Sequence, residues 1–233
     1  MNVLSFSLYG DNPIYTIGAL KNAELHKIFY SDWEMRIYYN DTVPKDIVEK
    51  LVKMNVNMIN TMTNENFMNS LWRFFPAADP TIEYFISRDL DSRISERDVA
   101  ATKEWIESGK DFHIIRDHPG GHGWPINAGM WGCKGGTIPN FIDLMRRYLS
   151  ANPRFGDKSI DQCFLRDVIY PFAVKSLFLH DEYYNYEKIG VPIKRERKLD
   201  DFQFIGESVD ENDMQRGPDP DCQRRSIRVL HKG

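Results

Sequence analysis

Short apolar runs alternate with amphipathic, helix-like stretches through the first 120 residues, and this alternation constrains the fold more than any other feature. The runs predicted as strands are Val3–Leu8, Met35–Tyr39, Val56–Met62, Ile82–Ser87 and Phe112–Ile115. Strands that alternate with helices favour a mostly parallel sheet with helices on both faces. The sequence therefore predicts an α/β fold with a mixed, mostly parallel sheet flanked by helices. In such sheets ligands bind beyond the carboxyl ends of the strands, so the residues that follow each strand are the first candidates for a site.

The domain organisation follows from where the apolar residues are. The chain has 233 residues, of which 42% are hydrophobic, and this is enough for the core of one large domain. After Pro192 the sequence turns polar and charged, and from Gly206 onward it contains few apolar residues. We therefore predict a single domain over residues 1–205 and a polar, loosely attached tail over residues 206–233.

Composition and charge exclude several classes of protein. The formal net charge is −4, so no global positive field attracts nucleic acid, and we expect no nucleic-acid partner. The three cysteines form no CxxC pair, which argues against a disulfide framework and a cysteine zinc site. No run of 18 apolar residues could span a membrane, and the first residues lack a basic leader and a cleavage site. We therefore expect a cytoplasmic protein.

The sequence Asp89-Leu90-Asp91 directly follows the apolar run Ile82–Ser87. Side chains alternate along an extended segment, so two carboxylates at i and i+2 emerge on the same side and can share one divalent cation. Such an ion can bridge two phosphates, and Arg88 and Arg93 stand nearby as further phosphate contacts. The ordinary alternative is a solvated acidic turn, which is the commoner origin of an isolated triplet of this kind.

Two further segments combine polar groups with small residues or a helix start. In Asn127-Ala128-Gly129-Met130-Trp131, the small residues allow a sugar to approach the backbone, while Asn127 and Trp131 can hydrogen-bond to it and stack on it. In Ser159-Ile160-Asp161-Gln162, a carboxylate and an amide at a helix start can point into a cleft. The alternatives are a glycine-rich bend and a capped surface helix.

Histidines supply the remaining candidates. His180 follows a further predicted strand, Val174–Leu179, and is a candidate third metal ligand. The alternative is a solvent-exposed histidine at a strand end. His113, His118 and His122 fit no zinc-binding pattern, because no cysteine or HExxH motif accompanies them. Asp117 and His118 are better candidates for gripping sugar hydroxyls.

Taken in chain order, these motifs resemble those of glycosyltransferases of the GT-A fold, and the chain is similar in particular to the glycogenin/galactosyltransferase-like group. That group has a DxD, then a loop ending in N-[SA]-G, then a DQ pair and a late histidine. The stretches WRFFPAAD, ISRDLDSRISERD, FHIIRDHP and NAGMWGCKGG also look like a family of small bacterial and large-DNA-virus glycosyltransferase-like proteins. The resemblance covers about residues 3–182.

The resemblance implies a metal-dependent transfer of a sugar from a UDP-sugar donor to a hydroxyl of a glycan or glycoconjugate, with Mn²⁺ or Mg²⁺ as the cofactor. The domain over residues 1–205 would then be the catalytic GT-A domain. The metal ligands would be Asp89, Asp91 and His180, and the residues at the reaction centre Asp161 and Gln162. The nucleotide and the sugar would contact Ser7, Leu8, Tyr9, Asp41, Arg73, Arg88, Asp89, Asn127, Gly129 and Trp131.

The stereochemical outcome and the diphosphate contact stay open at this point. Membership of the group implies retention of configuration, whereas inversion would require a carboxylate such as Asp117 or Asp161 as the general base. His180 is followed by DEYYNYEKIG instead of the glycine-lysine-proline-tryptophan stretch of the group, which leaves Lys188 or Lys194 to contact the diphosphate. Two rivals are a metal-dependent nucleotidyltransferase or phosphohydrolase and a sugar-nucleotide-binding module without turnover.

Overall fold

A computed structural model describes residues 1–61, 66–138, 140–152, 159–194 and 204–216. The strands are β1 (Asn2–Leu8), β2 (Glu34–Tyr39), β3 (Asn57–Asn60), β4 (Tyr84–Ser87), β5 (Phe112–Arg116), β6 (Trp131–Lys134) and β7 (Leu177–Asp181). The helices are α1 (Pro13–Phe29), α2 (Lys45–Lys53), α3 (Glu96–Ser108), α4 (Phe141–Ala151), α5 (Ile160–Phe164) and α6 (Tyr170–Ala173). A 3₁₀ helix spans Asn66–Ala78, and a π-helical turn at Leu165–Ile169 joins α5 to α6.

The strands form one seven-stranded sheet in the order β3-β2-β1-β4-β6-β5-β7. Strand β6 runs antiparallel to its neighbours β4 and β5, and every other pair is parallel. The carboxyl ends of the six parallel strands therefore lie at one edge of the sheet, here called the carboxyl edge. This arrangement confirms the predicted mixed, mostly parallel sheet flanked by helices.

Side-chain alternation in the strands places an apolar core on each face of the sheet. In β4, Phe85 packs into one core with residues of the 3₁₀ helix, α4 and α5, whereas Ile86 packs into the other with residues of α1, α2 and α3. The same strand is thus apolar on both sides, as expected for a strand covered by two helical layers. This covering leaves the ends of the strands as the places where polar chemistry can be exposed.

The helix boundaries follow the predicted caps in part. Ser95 caps α3, since its hydroxyl accepts a hydrogen bond from the Asp98 amide at 3.3 Å, as the sequence predicts. Asn140 precedes α4 in a left-handed conformation and makes no side-chain cap bond. Pro76 lies inside the 3₁₀ helix and does not end it. The sequence predicts an α-helix over Glu65–Phe75 that ends at Pro76, whereas the structure has a 3₁₀ helix over Asn66–Ala78.

The segment of residues 204–216, here called the C-terminal arm, differs from the predicted loose tail. Ile205 is buried against Ala101, Ile115 and Met130, and the Val209 amide donates to the Asp91 carbonyl at 2.7 Å. The arm is therefore packed onto the domain, and the predicted boundary at residue 205 falls inside it. Residues 217–233 of the predicted tail lie outside the described residues. Within the described ranges, no helix combines the length and apolar character needed to cross a membrane.

Candidate functional site

The turn that carries the two acidic residues is fixed by backbone-directed hydrogen bonds. Asn22 of α1 donates to the Ser92 carbonyl at 2.8 Å and accepts from the Ile94 amide at 3.1 Å. The Ser92 hydroxyl donates a hydrogen bond to the Asp89 carbonyl at 2.9 Å. Leu90, between the two acidic residues, is buried. These bonds hold Asp89 and Asp91 at the carboxyl edge, directly beyond β4.

Arg73 of the 3₁₀ helix joins two of the predicted site carboxylates. One guanidinium nitrogen pairs with Asp89, and the other donates to Asp161 at 2.9 Å. Its Nε atom has no hydrogen-bond partner among the described residues, although the side chain is only 9% exposed. Burial lowers the pKa of Arg73, but Asp89 and Asp161 outweigh this and raise it. Arg73 is therefore a fixed cation with one donor left for a ligand.

Asp161 is held at the start of α5. Its carboxylate accepts a hydrogen bond from the Gln162 amide at 2.8 Å and pairs with Arg73. Burial raises the pKa of Asp161, the positive charge of Arg73 lowers it, and the negative charge of Asp89 raises it again, with a net increase. Three charges of alternating sign thus meet at the carboxyl edge.

Asp91 points to a different set of partners. Its Oδ2 atom accepts from the Ser208 hydroxyl at 2.9 Å and lies 3.7 Å from the Arg216 guanidinium. Burial raises the pKa of Asp91, and the neighbouring Asp89 charge raises it further. The two carboxylates therefore repel each other, and an additional positive charge between them would stabilise both.

The loop before β6 closes one side of the site. A Cβ atom added at Gly129 would stand 2.0 Å from the Asp89 carboxylate, so only glycine fits there. The Ala128 amide donates to the Gln162 side chain at 2.8 Å, and the Asn127 side chain donates to the His122 carbonyl at 3.3 Å. We predicted close approach of a sugar to this loop; the structure shows that Gly129 admits the carboxylate of Asp89.

The loops after β1 and β2 reach the same edge of the sheet. The Ser7 hydroxyl accepts from the Arg73 amide at 3.0 Å, and the half-exposed Tyr9 ring packs edge-on against Trp72. Exposed Asp41 follows β2 and accepts from the Asn60 side chain at 2.8 Å. Ser7 and Tyr9 thus lie beside Arg73, and the contacts of these three residues with a nucleotide stay a prediction.

Three of the predicted ligand contacts have side chains inside the fold instead. Arg88 donates to both oxygens of the buried Asp98, at 2.9 and 2.6 Å, because strand alternation turns it away from the face of Asp89. Trp131 is fully buried in β6, between Phe74 and Phe85. The Leu8 side chain is likewise fully buried in the core. The side chains of these three residues are therefore engaged inside the fold, and contacts of these residues with a ligand stay a prediction.

The structure also separates Asp117 and His180 from the acidic pair. Asp117 is 3% exposed and accepts from Arg97 at 2.9 and 2.8 Å and from the Ile205 amide, so it anchors the arm. His180 contacts His113 at 2.8 Å and Glu104 at 3.4 Å through its two ring nitrogens. Its strand β7 stands three positions from β4, roughly 14 Å across the sheet, so His180 is not a ligand shared with Asp89 and Asp91.

Sequence reasoning missed the residues of the arm that reach the site, Ser208 and Arg216. The hydroxyl of Tyr15, at the start of α1, hydrogen-bonds to Arg216, and this contact was not anticipated either. The one available signal was composition: serine and arginine in a polar tail match a site built from carboxylates. Nothing in the spacing indicates that these residues fold back onto Asp91.

The residues present fit a divalent cation that is bound together with a phosphate-containing ligand. Among the described residues, no three or more His, Cys, Asp and Glu side chains gather closely enough to hold a metal ion alone. Mg²⁺ and ions like it are often held by one or two carboxylates, with substrate phosphates and water completing the shell. Asp89 and Asp91 repel each other at the carboxyl edge, and this pair meets the requirement for two carboxylates.

Comparison with known proteins finds solved structures that are similar to this chain at low sequence identity. No protein-family model and no curated protein matches this chain. Residues 1–349 of TarS from S. aureus are 17% identical, with a TM-score of 0.41, over 70% of this chain and 53% of that one. The mannosyltransferase PcManGT from Pyrobaculum calidifontis, in complex with GDP-Man and Mn²⁺, is 11% identical, with a TM-score of 0.46, over 82% of this chain and 54% of that one. An active-site mutant of LgtC is 12% identical, with a TM-score of 0.48, over 100% of this chain and 94% of that one.

The chain spans about half the length of the TarS and PcManGT structures, at 53% and 54%. All three TM-scores lie below 0.5, so these likenesses do not identify an activity. A function for this chain has to come from the side chains that meet at the carboxyl edge.

Proposed function

We propose that this chain is a glycosyltransferase of the GT-A type, which transfers a sugar from a UDP-sugar to a hydroxyl of a glycan or glycoconjugate. The observation that carries the proposal is the meeting of Asp89, Asp91, Arg73 and Asp161 beyond β4. A divalent cation held by carboxylates and a fixed arginine can together bind a nucleotide diphosphate, and this edge offers the carboxylates and the arginine.

In this proposal Arg73 binds the leaving diphosphate. Its guanidinium is held by Asp89 and Asp161, and its unpartnered Nε atom is a donor for a phosphate oxygen. A Mn²⁺ or Mg²⁺ ion, held by Asp89 and Asp91, would supply Lewis-acid stabilisation of the departing diphosphate. During transfer the bond from the anomeric carbon to the phosphate oxygen breaks, and its electron pair leaves with the diphosphate.

Asp161 and Gln162 stand at the reaction centre in this proposal. The acceptor oxygen forms the new bond to the anomeric carbon and loses its proton. Under retention this proton goes to an oxygen of the departing diphosphate, beside Asp161 and Gln162. Under inversion Asp161 would accept the proton, and its raised pKa, caused first by burial, favours that role. Gln162 holds the Ala128 amide and so fixes the loop that faces the sugar. Asp117 has no part in the transfer, because Arg97 and the Ile205 amide occupy its carboxylate.

The uracil and ribose would lie against the loops after β1 and β2, beside Tyr9 and Asp41. Retention of configuration is part of the proposal, and NMR of the product anomer from a UDP-sugar reaction tests it directly. An inverted product would overturn retention and leave Asp161 as the general base.

A screen of nucleotide sugars tests the proposal as a whole. We expect UDP-sugars to raise the melting temperature only when Mn²⁺ or Mg²⁺ is present, because a ligand stabilises by RT ln(1 + [L]/Kd). At a concentration of about 100 times Kd, the stabilisation is about 2.7 kcal/mol, which is readily seen in a thermal shift. Asp91→Ala should abolish the metal-dependent shift.

Asp143→Ala is the matched control, since this aspartate is exposed on α4 and pairs with Arg146, at 3.5 Å. It should keep the full ligand-dependent shift. Equal shifts with GDP- and CMP-sugars would contradict the assignment of the base site. Binding of UDP without metal, unchanged in Asp91→Ala, would contradict the transferase itself.

A further inference from the structure

The C-terminal arm begins with anchors away from the acidic pair. The Phe204 ring stacks on His118 at 4.4 Å, and the Ile205 amide donates to Asp117 at 3.0 Å. The buried pair of Asp117 with Arg97 is thus also the attachment point of the arm. From there the chain runs toward the turn after β4.

The middle of the arm rests on Asp91. The Val209 amide donates to the Asp91 carbonyl at 2.7 Å, and the Ser208 hydroxyl donates to its carboxylate at 2.9 Å. A short hairpin then bridges Val209 to Gln215 and brings the Arg216 amide back to the Ser208 carbonyl at 2.8 Å. This hairpin delivers the Arg216 guanidinium to within 3.7 Å of the same carboxylate.

The tip of the hairpin, at Asp213, is held by two ion pairs. Asp213 pairs with Lys21 of α1 at 2.5 Å and with Arg93 at 2.9 Å, and both pairs are partly exposed. Exposed ion pairs of this kind are weak and exchange readily with water. The tip is therefore easier to move than the beginning of the arm, which is packed into the apolar core.

The two acidic residues are each balanced by one arginine in the ligand-free chain. Arg73 pairs with Asp89, and Arg216 lies beside Asp91. A divalent cation on Asp91 would compete for the oxygen that Ser208 and Arg216 contact, and its charge would repel Arg216. A diphosphate bound with that cation would offer Arg216 a new anionic partner within the same few ångströms.

We propose that Arg216 is a diphosphate-binding residue, which the arm holds on Asp91 until a cation and a diphosphate enter together. The inference rests on the proposed function and assigns the contact that the sequence left open between Lys188 and Lys194. Lys194 lies 3.9 Å from Glu104, which contacts His180 on the far side of the sheet. Lys188 follows β7 in the same region, whereas Arg216 stands beside Asp91.

The test measures two affinities of the full chain, for Mn²⁺ alone by electron paramagnetic resonance and for UDP with Mn²⁺ by calorimetry. In Arg216→Gln, we expect Mn²⁺ alone to bind about threefold more tightly, because a competing positive charge is removed. UDP with Mn²⁺ should bind about tenfold more weakly, because a charge-assisted phosphate contact is lost. The opposite signs distinguish a ligand contact from a merely structural role.

Arg146→Gln is the matched control, because it removes an exposed arginine on α4 that pairs with Asp143 and contacts neither the arm nor Asp91. Both of its affinities should match those of the wild type. If both affinities of Arg216→Gln move in the same direction, or neither moves, the role of Arg216 is overturned while the proposed function stands. A wild-type chain that binds no UDP in the presence of Mn²⁺ overturns the proposed function and this inference together.

Hydrogen exchange of the arm gives an independent readout. The Val209 and Arg216 amides are protected by bonds to Asp91 and Ser208, so their exchange reports the position of the hairpin. We expect faster exchange with Mn²⁺ alone, and renewed protection with Mn²⁺ and UDP. Identical exchange in all three states would mean that the arm does not respond to the ligand, and would overturn the proposal.

Discussion

Two neighbouring arginine–aspartate groups, one on each side of the end of β4, differ in their exposure and in their hydrogen bonding. Arg88 and Asp98 are 2% and 1% exposed in their side chains, and Arg88 directs its remaining donor to the Ser87 carbonyl at 2.7 Å. Arg73 is also buried, but its partner Asp89 is 40% exposed and its Nε atom has no partner among the described residues. The first group is complete within the fold, whereas the second has capacity left for a ligand.

The difference arises because successive side chains of an extended chain point to opposite faces. Arg88 and Asp89 are consecutive, so their side chains emerge on opposite faces of the extended chain. Arg88 turns toward α3 and finds Asp98 there, and Asp89 turns toward the 3₁₀ helix and finds Arg73. The arginine adjacent in sequence to Asp89 is therefore paired inside the fold, whereas the arginine that pairs with Asp89 comes from the 3₁₀ helix before β4.

Breaking the closed group should have the largest effect on stability. Arg88→Gln leaves the Asp98 carboxylate buried without its counter-charge, and we expect a loss of about 3 to 5 kcal/mol in the free energy of unfolding. Urea denaturation of the ligand-free protein measures this loss. Tyr30 also donates to Asp98, at 3.0 Å, but a neutral hydroxyl does not replace the guanidinium.

Arg146→Gln provides the control for this experiment, because Arg146 makes an exposed pair with Asp143 on α4. Its denaturation midpoint should be indistinguishable from that of the wild type. A loss below about 1 kcal/mol for Arg88→Gln would mean that the group is not the structural ion pair described above.

Breaking the open group should cost less stability and more binding. For Arg73→Gln we expect a loss of about 2 to 3 kcal/mol in unfolding free energy, because the exposed Asp89 regains water while Asp161, whose side chain is 10% exposed, loses its counter-charge. The affinity for UDP with Mn²⁺ should fall at least about tenfold, because a charge-assisted phosphate contact disappears. Calorimetry and denaturation on the same preparation separate the two effects.

Arg73→Lys sharpens the comparison, since lysine keeps the charge but cannot bridge two carboxylates with a planar fork. It should recover part of the affinity lost in Arg73→Gln. If Arg73→Gln loses as much stability as Arg88→Gln and keeps its affinity, then both groups are structural and the contrast between them disappears.

The sequence predicted the fold and the acidic centre because both depend on local patterns. Apolar runs and helical periodicity specify each strand and helix, and the position of a residue just after a strand places it at the carboxyl edge. Asp89 and Asp91 could be chosen for this reason. Asp161 was a candidate from its place at a helix start and Arg73 from the resemblance, and the structure joins both to the acidic centre through one guanidinium. His180 also follows a strand, but its distance from Asp89 depends on strand order, which local patterns do not reveal.

The C-terminal arm could not be predicted because its attachment is polar and distant in sequence. Ser208 and Asp91 are 117 positions apart, and their contact is a single hydrogen bond. A polar segment with few apolar residues has the composition of a disordered tail, whether or not specific hydrogen bonds hold it. The buried apolar residues of the described arm are Phe204, Ile205 and Val209, and three residues in a polar segment are too few to indicate docking.

The smallest expected effect has the opposite sign and concerns Asp91. Burial and the Asp89 charge raise the pKa of Asp91, so the native state takes up this proton at a higher pH than the unfolded chain does. The charged carboxylate therefore costs stability at neutral pH, and Asp91→Asn should raise the melting temperature by about 1 to 3 °C. The gain should shrink as the pH falls toward about 4, where an ordinary aspartate is itself half protonated.

Scanning calorimetry of the ligand-free protein at pH 7 and pH 4 measures this gain. Asp41→Asn is the matched control, because Asp41 is exposed and has one hydrogen bond, from Asn60 at 2.8 Å. It should leave the melting temperature unchanged at both values. A melting temperature lowered by Asp91→Asn at pH 7 would mean that Ser208 and Arg216 stabilise the charge more than burial and Asp89 oppose it. An increase, together with loss of the Mn²⁺-dependent shift, would mean that the chain keeps a costly carboxylate where binding requires it.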